Sequence, residues 1–105
     1  MKIKIDYSYL KYQVFTEYAE EADLLNVALF GTTAKQWRDA NPDLKGNVRD
    51  YATLKQLVVL SNMESINALF IWQQLTQGER LMQLNNVAIT QMRSLVKNRN
   101  LKQLM

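Results

Sequence analysis

At 105 residues, with 48% hydrophobic and 22% charged side chains, the chain is the size of one globular domain. It contains no Cys and no His, which excludes disulfides, zinc–thiolate sites, imidazole ligands and any Ser-His-Asp triad. The net charge of +3 is small and uneven: Arg93, Lys97, Arg99 and Lys102 stand near the C-terminus without a neighbouring acid.

No apolar run approaches the roughly 18 residues of a membrane span. The opening residues mix charged with apolar side chains and lack the apolar centre of a signal peptide. A cytoplasmic protein without membrane contact is therefore expected. Residues 2–9 alternate Lys, Ile, Asp, Tyr and Ser with period two, the pattern of a short strand. No second strand is evident to pair with it. Residues 1–15 are read as an extended N-terminal arm that packs on the domain, pairs with its own copy in another chain, or turns helical in context.

From residue 16 the period becomes helical. Glu17, Glu20, Glu21 and Asp23 crowd a helix start, where acids favour the positive end of the dipole. Tyr18, Ala22, Leu25 and Leu29 form a stripe that ends at Gly31, a residue suited to a left-handed cap. This predicts a helix over 17–30. Thr33 and Gln36 have capping-box spacing and open a short helix over 33–41, closed by Asn41-Pro42 because proline disfavours helical geometry in the residue before it. Trp37 is expected to pack inward. Asp43 to Asn47, with Gly46, reads as turns.

The longest apolar pattern follows, over 54–74. Its apolar residues cover more than half of the helix surface, so burial on two sides is expected. Thr76 and Glu79 make a second capping box, and Leu81, Leu84, Ala88, Met92 and Leu95 form the seam of a last helix over 77–97. Residues 98–105 are a basic tail. The predicted architecture is an all-α, four-helix domain with a helical core over 16–97 and an extended arm.

The stretch from Gly31 to Thr53 organises the whole. It holds Gly31, Trp37, Pro42, Gly46, Asp50 and Tyr51, and is read as a structural motif that locks the longer helices together. Arg38, Asp39, Arg49 and Asp50 are expected to form a charge-assisted network within it. Asp39, Asp43 and Asp50 could in principle exchange protons with a substrate, but no nucleophile or metal set accompanies them, so capping and turn formation is the stronger reading. The acids of the first helix match no calcium-loop spacing. One Gly before a helix is weak evidence for a phosphate site. No catalytic residue, metal, cofactor or small-molecule substrate is expected. Lys35, Arg38, Lys45 and Arg49, interleaved with Trp37 and Tyr51, and the C-terminal Arg93, Lys97, Arg99 and Lys102 are candidate phosphate contacts to DNA, with the tail the better candidate. Tyr7, Tyr9, Phe70 and Trp72 are candidates for an interface with a partner protein or a second copy.

Residues 21–31, Thr33 to Arg38, Asn41-Pro42-Asp43, Lys45-Gly46-Asn47, Arg49 to Ala52, Gln56 to Glu64, Glu79-Arg80-Leu81, Ala88-Ile89 and Gln91-Met92 together resemble the C-terminal module of bacterial KilA-N domain proteins. The resemblance covers about residues 21 to 93. These proteins are phage- and plasmid-associated, and their name-giving domain is regarded as a DNA-binding unit. That domain lies N-terminal to the module in the family and is not expected within these 105 residues. The resemblance implies a mobile-element or prophage origin and a DNA-linked role; together with the basic tail it leads to the expectation of a non-enzymatic accessory module of a phage-type DNA-binding regulator, acting by association and weak phosphate contact. The alternative is a protein-interaction or oligomerisation module with no nucleic-acid contact.

Overall fold

The fold was analysed in a computed structural model that describes residues 20–97. Among the described residues there are four α-helices and no strand. They are α1 (Glu21–Phe30), α2 (Ala34–Ala40), α3 (Leu54–Trp72) and α4 (Gln77–Lys97), with a 3₁₀ turn over Val48–Tyr51. The all-α reading holds. The N-terminal arm and the residue 98–105 tail, with Tyr7, Tyr9, Arg99 and Lys102, lie outside the described residues.

Sequence chemistry accounts for most helix ends. Gly31 closes α1 at φ 76°, a conformation that costs glycine nothing, and its N–H donates to the Val27 carbonyl. The Thr33 hydroxyl accepts from the Gln36 N–H at 3.1 Å, while the Gln36 side chain accepts from the Thr33 N–H at 2.9 Å. Thr53 and Gln56 repeat this reciprocal box before α3. Before α4 only half of it forms. The Thr76 hydroxyl accepts from Glu79 N–H at 3.2 Å, but the Glu79 carboxylate takes the Thr76 hydroxyl proton instead of a backbone one.

Two boundaries differ from expectation by more than one residue. Helix α1 begins at Glu21, not residue 17, because Glu20 has extended backbone at φ −127° and ψ 140°. Helix α3 ends at Trp72, two residues early: Gln74 adopts φ 65° and the Leu75 N–H turns back to the Phe70 carbonyl.

Helices α1, α3 and α4 pack on one another around a single core. Leu24 and Leu29 of α1, Val59 and Met63 of α3, and Leu81 and Leu84 of α4 are completely buried. Burying such side chains is worth about 1.5–3 kcal/mol each, which makes this contact the main support of the domain. Helix α2 buries none of its residues. It lies outside the core, at the side of the 3₁₀ turn. No helix among the described residues is long and apolar enough to cross a membrane.

Candidate functional site

The Gly31–Thr53 stretch folds as a clasp with one long reach. Locally, Asn47 caps the 3₁₀ turn: its side chain accepts from Arg49 N–H at 2.9 Å, and the Asp50 carboxylate accepts from Asn47 N–H at 2.8 Å. Gly46 sits at φ +88°, and a Cβ there would collide with that carboxylate. Pro42 follows Asn41, whose amide closes α2 on the Trp37 carbonyl at 2.9 Å. Trp37 does not reach the core as expected. It is half-buried against Tyr51, ring centroids 5.2 Å apart at 32°, and the Tyr51 hydroxyl donates to the Lys45 carbonyl at 2.7 Å. Trp37 and Tyr51, with Phe30, Thr32 and Val48, line an open recess of about 250 Å³.

Arg49 is the part that reaches. Its Nε donates to Asn26 Oδ1 at 2.9 Å and one Nη to the Ala22 carbonyl at 3.3 Å, both on α1. The other Nη lies 3.6 Å from Glu64 on α3. The expected mutual network of Arg38, Asp39, Arg49 and Asp50 is therefore replaced by separate partners. Asp39 pairs with Lys35 one turn back on the exposed face of α2, at 3.5 Å. Asp50 caps the turn, Arg49 ties two helices, and Arg38 faces solvent.

A second polar cluster, missed by the sequence reading, joins all three core helices. Arg80 of α4 is buried. It donates through Nη1 to Asn67 Oδ1 of α3 at 2.9 Å, through Nε to the Leu75 carbonyl at 3.2 Å, and pairs with Glu21 of α1. Asn67 Nδ2 and Gln77 Nε2 also donate to Glu21, at 2.9 and 3.2 Å. The hydrogen bonds from Arg80, then Asn67 and Gln77, hold the Glu21 carboxyl below its ordinary range, against partial burial, which pushes it up. No buried side-chain polar atom among the described residues lacks a partner. The cluster is a closed structural tie, with no free group aimed at a substrate. Its sequence signal was present: Arg80 and Asn85 fall in the register of the α4 seam, where a polar residue must find a buried partner. Asn85 finds the Ala28 carbonyl, at 3.0 Å.

The remaining feature is the outer side of α3. Leu54, Leu57, Val58, Leu69, Ile71 and Trp72 are all exposed, Trp72 by 80%. Phe70, expected beside Trp72, is turned inward and packs against the core. Of the candidate phosphate contacts within the described residues, Lys35 and Arg49 are ion-paired, while Arg38, Lys45 and Arg93 are exposed. Lys97 is the last residue of α4. Arg38 on α2 and Lys45 in the loop after it belong to the clasp, and Arg93 lies toward the end of α4. Among the described residues no group of three acids converges as a metal site.

Compared with known proteins, the chain matches no family model, no curated protein and no solved structure.

Proposed function

We propose that the chain is a non-enzymatic association module, an accessory part of a phage-type DNA-binding regulator as the KilA-N resemblance implies, and that it works by protein contact through α3. One observation carries this reading: a 19-residue helix at the centre of the domain leaves six large apolar side chains in solvent along one side. They form two groups, Leu54, Leu57 and Val58 near one end and Leu69, Ile71 and Trp72 near the other, with Ser61, Asn62, Glu64 and Ser65 exposed between them, and large apolar side chains bared together on one face mark an interaction site on a folded protein.

Weak phosphate contact is the secondary part of the proposal. It rests on Arg38, Lys45 and Arg93, because Lys35 and Arg49 already face acids. A role without catalysis is supported by how the loop carboxylates are used. Asp39 accepts from Lys35 and Asp50 from Asn47 N–H, so both serve an ion pair or a cap, while Asp43 is exposed in the turn after Pro42.

Light scattering on the full chain across a concentration series tests the association. A mass that rises with concentration, and returns to one copy in Leu69→Lys, is the expected result. A monomer at the highest soluble concentration, with no partner protein sensitive to Leu69→Lys, overturns it. A fluorescence titration with duplex DNA at about 50 mM salt, where phosphate contacts are strongest, tests the secondary part. No binding there removes DNA contact and leaves the association reading standing.

A further inference from the structure

The outer side of α3 carries a pattern that points to its occupant. Leu54, Val58, Ser61, Ser65, Ala68 and Trp72 follow alternating steps of four and three residues, and all six are exposed. Steps of four and three are the 3.5-residue repeat by which one helix presents a straight seam to another. None of the six is charged. The order of sizes is symmetric about the level of Met63: large at both ends, small in the middle.

We infer that a second copy of this chain covers the seam, its α3 antiparallel to the first across a two-fold axis at the level of Met63. The inference rests on the association reading above and names its partner. In this register Leu54 lies opposite the partner copy's Trp72, Val58 opposite Ala68, and Ser61 opposite Ser65. The outermost layers pair two large side chains, the next pair a larger one with a smaller one, and the central ones pair two small ones, so the helices approach closely at the centre. The opposed serine hydroxyls can satisfy each other. Leu57 and Ile71, which flank the seam on one side, meet across the axis. A parallel pairing instead stacks Trp72 on Trp72 one turn from Ala68 on Ala68, and no single helix separation suits both.

Charge and area agree with this arrangement. Glu64 flanks the seam near the axis, where it approaches its own copy. Each Glu64 already faces the Arg49 guanidinium of its own chain at 3.6 Å, so two neutralised pairs meet there and not two bare acids. A 19-residue helix is about 28 Å long, so one helix face paired with its copy makes an interface at the small end of the specific range and fits a weak, reversible dimer. The isologous geometry needs only one surface patch and closes at two copies.

The absence of Cys from the chain makes the test clean. Val58→Cys and Ala68→Cys are prepared separately in the full chain and treated with a short bis-maleimide, alone and mixed. In the antiparallel register residue 58 stands opposite residue 68 of the partner copy, whereas the two copies of residue 58 are about 15 Å apart along the axis. Cross-linked dimer in the mixture, at least tenfold above either variant alone and above an Asn86→Cys control on the exposed side of α4, is expected. Cross-linking of each variant with itself overturns the antiparallel register and leaves association through α3 standing. No cross-link with a dimeric mass that Leu69→Lys abolishes has the same meaning. No cross-link with a monomeric mass, as when residues 1–19 of the same chain cover the seam, overturns both.

Discussion

Helices α3 and α4 are nearly equal in length, pack against each other, and solve opposite problems. Helix α4 is sharply two-sided. Leu81, Leu84, Ala88 and Met92 are buried, while Glu79, Gln83, Asn86 and Arg93 face solvent. Its seam is used within one copy, and of its described large apolar side chains only Met82 and Val96 are bare. Helix α3 buries Val59, Leu60 and Met63 on one side and leaves Leu54, Leu57, Leu69 and Trp72 bare on the other. A helix with large apolar groups on both sides wants neighbours on both, and α1 and α4 supply only one of them. The difference separates two tasks in one small domain. The inner contact sets whether the chain folds, and the outer one sets what it meets.

The largest effect should come from the inner side. Leu84→Ala deletes a completely buried side chain between α1, α3 and α4, and a loss of about 2–5 kcal/mol is expected from the lost burial and the cavity left behind. For a domain of ordinary stability that is a large fraction of the total. Urea unfolding followed by circular dichroism reads it directly. If Leu84→Ala costs less than Leu69→Ala at the same dilute concentration, the inner and outer assignments are reversed.

Next comes the polar tie. Arg80→Met leaves Glu21 and Asn67 without their shared donor, and about 2–3 kcal/mol is expected. That is below the usual cost of breaking a buried pair because the Glu21 side chain is 42% exposed. The same tie gives a pH signature. The folded Glu21 carboxyl is depressed, so between its folded value and the ordinary 4.5 the unfolded chain binds more protons. This stability is complete above about pH 5 and is lost as pH falls through the folded value. Glu21→Gln should flatten that part of the acid limb while leaving the neutral-to-alkaline slope unchanged. An unchanged acid limb would show that the tie contributes nothing.

The sequence made the elements legible and the partners of the polar ties illegible, for physical reasons. Thr33, Gly31, Thr53 and Thr76 announce helix ends because capping is settled by residues three apart. The α4 seam is legible because periodicity is local too. Arg49 and Arg80 act over 23 and 59 positions, on Asn26 and Glu21, and nothing in one sequence says which distant acceptor a cation will find. Trp37 misleads for a related reason. A tryptophan suggests the core, but α2 is too short and too tightly tied to the clasp, so Tyr51 becomes its partner. The bare side of α3 is half legible. Its excess of apolar surface shows in the sequence, whereas Phe70 and Trp72 could be sorted between core and solvent only once the helix was docked.

A smaller effect sharpens the boundary between clasp and core. Gly46→Ala forces a side chain into left-handed backbone and against the Asp50 carboxylate that caps the 3₁₀ turn. A loss of about 1–2 kcal/mol is expected. Hydrogen exchange should rise first at Arg49 to Ala52 and leave the α4 seam protected, because Leu81 and Leu84 do not depend on the clasp. Uniform loss of protection would make the clasp part of the folding core.

The smallest expected effect on stability is the most informative. Trp72 is 80% exposed, and a side chain in that position normally changes stability by no more than about 0.5 kcal/mol when replaced. Trp72→Gln should therefore unfold, at micromolar concentration, at nearly the same temperature as the unaltered chain. At high concentration the two should diverge, because binding between folded copies stabilises only the chain that still associates, and its midpoint rises with concentration. The pair of measurements separates cover from within the chain and cover from outside it. A Trp72→Gln loss of 2 kcal/mol or more in the dilute sample, with no dependence on concentration, would mean that the indole is already packed within its own copy. The outer side of α3 would then belong to the fold, and the contrast with α4 would disappear.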